Sequence, residues 1–300
     1  MADVLRLTSI EGGLNWWKTL NWAAGAFRAA GLEVAVDRHG TDGMDNCRRV
    51  AAGEFDVSVS LASGAWMAAK GSGAYRGNQL SVRGLGLVLH PGHNFYNFVR
   101  RDLGIRSFAE IAAQKPKLGL CVGNKGYIAG QISQAYLRHY GVELYSDIEA
   151  WGGRLYTSFP EATRLFIEGK ANALMRENTK LSPAGVAASI CDVVMLPMDM
   201  EIAEKLAAEY GTPVTEIPPG TLRGQDAPVL SVCNPGYPVV VGAHMDADLA
   251  YRLARAMNES SPHHWICEDI FYSPRHAPET GAPLHPGAEA YYRDIGVLRG

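Results

Sequence analysis

The first seventy residues switch repeatedly between the period of a strand and the period of a helix, and this narrows the fold more than any other feature of the chain. Val4 to Ile10 reads as a strand, and Leu14 to Ala30 as a helix that ends at Gly31. Leu32 to Asp37 is a second strand, and Asp45 to Ala52 a helix closed by Gly53. Phe55 to Leu61 (FDVSVSL) alternates as a third strand before a helix over Ala62 to Lys70. Strands alternating with helices build a largely parallel sheet covered on both faces. The 33 glycines among 300 residues suit the many tight turns that such a fold needs. The expected class is α/β.

The alternation continues downstream. Leu85 to Leu89 and Phe95 to Arg100 are strands on either side of the turn HPGHN. Ser107 to Ala113 is a short helix, with Ser107 and Glu110 at capping-box spacing. Ile148 to Trp151 is expected as a strand, followed by the loop GGRLYTSF. Pro160 to Glu168 is a helix capped by Ser158 and stopped by Gly169. Asn172 to Arg176 and Val193 to Leu196 are strands, Met200 to Tyr210 is an amphipathic helix, and Pro213 to Pro228 a long polar connection. Val229 to Val232 and Val239 to Gly242 are strands around NPGYP. Asp246 to Asn258 is a helix, and a short helix near Ala288 to Ile295 ends the chain. Asn46 to Ser60 and Glu161 to Arg176 echo one another as helix, glycine stop, charged residue and strand. The echo suggests two similar α/β lobes. Ligands of open sheets bind beyond the carboxyl ends of the strands.

Composition removes several classes of function. The length suits two domains, or one large one. A net charge of −3 without a basic tract argues against a nucleic-acid partner. No run of 18 apolar residues exists, so no membrane span is expected. Cys47, Cys121, Cys191, Cys233 and Cys267 form no CxxC pair, which argues against structural zinc; they read as buried free thiols, and their odd number favours a reducing compartment. The start, MADVLRLTSIEGG, shows no basic n-region, apolar h-region or cleavage site. The expectation is a cytoplasmic protein, or a periplasmic one from which a signal peptide has been removed. His90 and His93, like His263 and His264, lack the further ligands that a metal needs and read as turn or surface histidines. No GxSxG, P-loop or HExxH is present, and GLGLVL lacks the full dinucleotide fingerprint. No metal and no cofactor are expected.

One stretch points to a ligand. Lys117 to Gln131, KLGLCVGNKGYIAGQ, reads as a strand (Leu118 to Val122), a glycine-rich turn and the start of a helix. Free N–H groups and the positive dipole end at a helix start suit an anion. Lys125 conflicts with that dipole unless an anion offsets it, so either the turn holds a carboxylate or the lysine points into water.

Four stretches together resemble the TAXI-type solute-binding proteins of TRAP transporters. They are Ser9 to Trp17 (SIEGGLNWW); Gly40 to Asn46 with Gly53 to Asp56; Asp102 to Ile111 (DLGIRSFAEI) with the Leu118 to Gly126 strand and turn; and the tail Leu284 to Gly296 (LHPGAEAYYRDIG). The resemblance implies a two-lobed, periplasmic-binding-protein-like (type II) α/β fold with a ligand cleft between the lobes. One lobe would comprise residues 1–95 and 230–300, the other residues 96–229. It further implies a small organic acid ligand, possible TRAP membrane subunits as partners if the protein is exported, and three helix starts facing the ligand. At the first, with Gly13, Trp16 or Trp17 would stack on a planar ligand or pack in the core, and Asn15 would bind the ligand or cap the helix. At the second, Ser60 and Ser63 would bind ligand oxygens or act as caps. At the third, Asn124, Lys125, Gly126 and Tyr127 would hold a carboxylate. Arg154, Arg176 and Glu177 would reach the ligand or form internal and surface pairs. Relatives usually carry small hydroxyl residues where this chain has Asn124, Lys125 and Tyr127. This departure keeps a second reading open: a cytoplasmic enzyme on the same fold, a decarboxylase, lyase or isomerase using Lys125, Tyr127 and Arg154.

Overall fold

The computed structural model describes residues 4–10, 14–40, 43–158, 161–179, 182–260 and 264–299. The chain divides into two units, one made of Met1–Pro91 and Pro235–Gly300, the other of Gly92–Asn234. It begins with β1 (Leu5–Ile10), α1 (Leu14–Ala29), β2 (Val34–Gly40), α2 (Gly43–Ala51), β3 (Val57–Val59), α3 (Ala62–Lys70) and β4 (Val82–Leu89). The second unit then supplies β5 (Asn94–Arg100), α4 (Phe108–Gln114), β6 (Gly119–Val122), α5 (Ile128–His139), α6 (Leu144–Ala150), β7 (Arg154–Tyr156), α7 (Ala162–Ile167), β8 (Ala173–Asn178), α8 (Pro183–Ile190), β9 (Val193–Met195), α9 (Met200–Tyr210), β10 (Val214–Ile217) and β11 (Val229–Val232). The first unit resumes with β12 (Gly236–Gly242), α10 (Ala247–Ser260), β13 (His264–Trp265), β14 (Phe271–Tyr272) and α11 (Pro286–Asp294). Among the described residues no helix is long and apolar enough to cross a membrane.

The sheet of the first unit has the order β13-β14-β4-β12-β3-β1-β2. β1 runs parallel to β2 and β3, whereas β12 is antiparallel to both β3 and β4. At the start of β1, Leu5 and Leu7 are buried while Arg6 points out and pairs with Asp56 at 3.3 Å; Thr8 and Ser9 beyond them are both buried. In the second unit the order is β7-β6-β8-β5-β9, with β6 parallel to β7 and β8. Its core packs Phe98 against Phe166, with ring centroids 5.3 Å apart, together with Cys121, Leu174, Ala187 and Ile217. All five cysteines are free; Cys47 and Cys121 are buried and the other three half-buried.

Several local expectations change. The Ile148 to Trp151 stretch belongs to helix α6, where Leu144 and Ile148, one turn apart, are both buried. The strand comes after Gly152-Gly153, as β7, inside the segment read as a loop. β10 lies within the supposed connection of Pro213 to Pro228, and α8 follows the cap Ser182 with Pro183 at its first position. The capping box at α4 is modified. The Ser107 hydroxyl accepts from the Glu110 N–H at 3.2 Å, but the Glu110 carboxylate accepts from the Arg106 N–H at 2.7 Å rather than from that of Ser107.

The tail motif has a physical explanation. His285 caps α11, its Nδ1 accepting from the Gly287 N–H at 3.3 Å, and Pro286 fills a position where a missing N–H costs nothing. Gly287 lets α11 meet α10 backbone to backbone, because a Cβ there would overlap the Ala247 carbonyl and reach the Tyr251 nitrogen at 2.8 Å. Tyr292, fully buried, then donates its hydroxyl to the Leu85 carbonyl of β4 at 2.9 Å. Gly287→Ala is therefore expected to destabilise the protein by about 1–3 kcal/mol and to lower Tm by roughly 2–8 °C. A thermal melt with Tm unchanged would show that the helix contact is not this tight.

Candidate functional site

In the second unit three parallel strands deliver their carboxyl ends side by side. Register pairs Cys121 of β6 with Tyr156 of β7 and Leu174 of β8, and Val122 with Met175. The turn from Gly123 to Tyr127 thus emerges between the ends of β7 and β8. Two glycines permit the turn. A Cβ on Gly123 would come within 2.6 Å of the Gly130 nitrogen, and one on Gly130 would overlap the Asn124 carbonyl and the Tyr145 hydroxyl. The Tyr145 hydroxyl donates to the Gly123 carbonyl at 2.6 Å, and the Tyr127 N–H donates to Asn124 at 2.9 Å. Tyr127 occupies the N-cap position of α5 without a side-chain cap, so the positive end of this helix is not covered by its own capping residue.

Arg176 and Glu177 stand one and two residues beyond Met175, level with this turn. Their side chains are only 15% and 11% exposed, and Arg176 Nη2 lies 3.9 Å from Glu177 Oε1. Burial pushes the Cys121 thiol and the Tyr145 hydroxyl up to about 12 each, while the Arg176 charge pulls both back. The guanidinium therefore acts on the floor and the wall of the turn. Burial raises the Glu177 carboxyl above its usual range, outweighing the attraction of Arg176. At the next position, the Asn178 carbonyl oxygen accepts from the Thr179 N–H at 2.9 Å and from the Ser182 hydroxyl. Among the described residues, Asn178 Nδ2 and Glu177 Oε2 are buried without a hydrogen-bond partner. Such atoms call for water or a ligand.

The residues singled out in the first unit divide differently. Gly13 lies outside the described residues. Ser60 and Ser63 are fully buried. The Ser60 hydroxyl donates to the Gly43 carbonyl at 3.3 Å and accepts from the Cys47 thiol at 3.4 Å, while the N-cap of α3 is Leu61. Trp16 is half-buried, edge-on to Tyr237 at 5.6 Å and flat enough on Gly43 that a Cβ there would overlap its ring. Trp17 is also half-buried. The Asn15 amide donates to Asp269 Oδ2 at 2.9 Å, and His90 Nε2 reaches the same oxygen at 3.3 Å. His90, and in the second unit His93, are buried, not surface histidines, and His90 stacks on Tyr237 at 5.4 Å.

Asn124, Lys125, Gly126 and Tyr127 are all exposed. The desolvation that would turn Lys125 into a base or Schiff-base former is not present around it within its unit. Arg154 sits at the amino end of β7, opposite Gly119, exposed and over the Tyr156 ring at 5.4 Å; it does not join Arg176. A concavity of about 520 Å³ in the second unit, lined by Arg100, Asp102, Ile167, Glu168 and Asn172 among others, lies at the opposite, amino end of β8. Sequence reasoning did not single out Asn178, Asp269 or Tyr237. Asn178 was findable as the last residue of a strand, but nothing local marks Asp269.

The sequence profile of the NMT1-like family matches residues 29–296. No curated protein matches the chain. Among solved structures, PhnD1 from Prochlorococcus marinus in complex with methylphosphonate is 10% identical, with a TM-score of 0.52 over 99% of this chain and 100% of that one. XAC2383 from Xanthomonas citri bound to chloride ion is 15% identical, with a TM-score of 0.51 over 98% and 97%. The periplasmic binding protein BugD is 11% identical, with a TM-score of 0.51 over 97% and 92%. These likenesses establish the fold, a two-lobed periplasmic-binding-protein-like α/β architecture.

The Asp269 contacts have a consequence for pH. The His90, Cys267 and Asn15 hydrogen bonds outweigh burial and hold its carboxyl well below the usual range. The resulting stabilisation is complete above the unfolded carboxyl pKa of about 3.9 and is lost as pH falls towards the lower folded value. Asp269→Asn should lower Tm by roughly 2–6 °C at pH 7, with the gap from wild type narrowing between pH 5 and pH 2. A gap that stays constant over that range would contradict the assignment.

Proposed function

This chain belongs to the NMT1-like family, and on that premise we propose that it is a solute-binding protein for a small organic anion, held at the carboxyl ends of β6 and β8. The observation that carries this reading is Arg176, a largely buried guanidinium level with the glycine turn that opens α5. A guanidinium fork pairs two oxygens of a carboxylate or phosphonate at once. The α5 start adds N–H groups and the favourable end of a dipole, and Asn178 Nδ2 adds a buried donor. The sequence favours a carboxylate; methylphosphonate, the ligand in the PhnD1 complex, presents the same anionic oxygens. The finer reading, a receptor that hands its solute to TRAP-type membrane subunits after export, rests on the motifs of Ser9 to Trp17 and Leu284 to Gly296. It adds no chemistry to the site.

Calorimetric titration with propionate, benzoate and methylphosphonate tests the proposal. At least one should bind, and propionamide and benzamide, which are uncharged, should not. Arg176→Ala should weaken binding by roughly 30-fold or more and Arg176→Lys by less, as expected for loss of a charge-assisted hydrogen bond. Lys125→Ala, at an exposed position, should change it by less than about threefold. The solute should be recovered unchanged by NMR. Undiminished affinity in Arg176→Ala, or consumption of the solute, would overturn the reading.

A further inference from the structure

A guanidinium that takes up a solute anion at the end of β8 already has an acidic neighbour. The Glu177 side chain is 11% exposed, and its Oε1 lies 3.9 Å from Arg176 Nη2. That separation is beyond a hydrogen bond, so the two are held by charge and not by a fork of N–H bonds. The other oxygen, Oε2, is buried without a hydrogen-bond partner.

Among the described residues, the elements packed on β8 bring Glu177 little further charge. β5 places Phe95 opposite it and Tyr96 opposite Arg176, while Arg100 lies at the other end of β5 beside Asp102. From α5, Tyr136 is close enough for the Glu177 charge to act on it, but its buried hydroxyl donates to Asn97 Oδ1 at 2.8 Å. Arg138 of the same helix pairs with Glu143, and His139 acts on Glu201 of α9. β6 and α8 carry no charged side chain. The Cys121 thiol and the Tyr145 hydroxyl, both under the influence of Arg176, are pushed up to about 12 by burial and stay neutral. Lys125 is exposed and acts on Glu143. His93, buried just before β5, is another group at this end able to change charge near neutrality.

An anion on Arg176 changes the balance. One guanidinium then faces two acidic groups in a place largely closed to water, and such an arrangement favours a proton on one of them. Burial already raises the Glu177 carboxyl above its usual range, which makes it readier to take that proton than an ordinary carboxylate, sulfonate or phosphonate solute. We propose that Glu177 takes up a proton from solvent, on Oε2, when a solute anion occupies Arg176, so that this site binds an anion and a proton together. The inference rests on the solute-binding reading above and adds a second, ionic ligand to the same site. Its sign is fixed by linkage: the bound anion raises the Glu177 pKa further, and between its free and bound values affinity falls as pH rises.

Titration calorimetry from pH 5.5 to 8.5, in two buffers of different ionisation enthalpy, counts the protons. The solutes are propionate, benzoate, methylphosphonate and methanesulfonate, the last of which stays ionised throughout. Wild type should bind about tenfold or more tightly at pH 5.5 than at pH 8.5, taking up about half a proton or more where the change is steepest. Glu177→Gln should take up none beyond the ionisation of the solute itself, and its affinity for methanesulfonate should vary by less than about twofold over the range. This comparison separates Glu177 from His93. Should Glu177→Gln fold poorly, infrared difference spectra of wild type with methanesulfonate decide: a protonated-carboxyl band should appear on binding and move when the glutamates carry carbon-13. Binding by wild type without proton uptake, uptake that persists in Glu177→Gln, or absence of that band overturns the inference while solute binding stands. Undiminished affinity in Arg176→Ala, or no binding of any of the four solutes, overturns both.

Discussion

The first unit depends on one strand that arrives late. β12, buried along its whole length, lies between β4 and β3 and is antiparallel to both. Until residues 236–242 are in place, the sheet is split into a parallel portion and an edge. The chain leaves this unit after Pro91 and re-enters it at Pro235. The second unit is therefore an insertion between two neighbouring strands of one sheet. The closeness of those strands constrains what borders the insertion. Gly236 lies against β4 so closely that a Cβ would overlap the Val88 carbonyl. The His90 N–H donates to the Pro235 carbonyl at 2.8 Å, and the His90 ring stacks on Tyr237.

Each unit also holds an acidic side chain largely withdrawn from solvent, and the two differ in balance. Asp269 collects hydrogen bonds from an amide, an imidazole and a thiol, enough to favour its charged form despite burial. Glu177 has a guanidinium at 3.9 Å and an oxygen without a partner, and burial raises its pKa instead. A buried pair of the second kind is poor at stabilising a fold. Its place at the carboxyl ends of parallel strands, where open sheets bind ligands, is what the proposed solute site rests on.

The alternation of the first seventy residues is legible because strand and helix periods differ and glycines mark the stops; β1 to α3 follow it closely. The resemblance of the tail is legible for a reason that the structure supplies, since His285, Pro286 and Gly287 each answer a separate demand of one helix start. Misreadings cluster where local signals compete. Ile148 to Trp151 is apolar enough for a strand, but its burial partner is Leu144, one helical turn back. The site is legible only in part. The turn after β6 shows itself through its glycines, and Arg176 through its place at a strand end. Lys125, the feature that drew attention to the turn, is exposed, whereas Arg176 carries the buried charge. Asp269 reaches Asn15 across 254 positions of sequence, and no periodicity or spacing encodes such a contact.

The account turns on where the negative end of a solute sits. The most direct measurement is a crystal structure of the protein with its bound anion at a resolution that shows the oxygens. The account predicts two anionic oxygens within hydrogen-bond reach of the Arg176 guanidinium, with backbone N–H groups of the α5 start directed at one of them. An anion bound elsewhere, with Arg176 engaged only by Glu177, would contradict it.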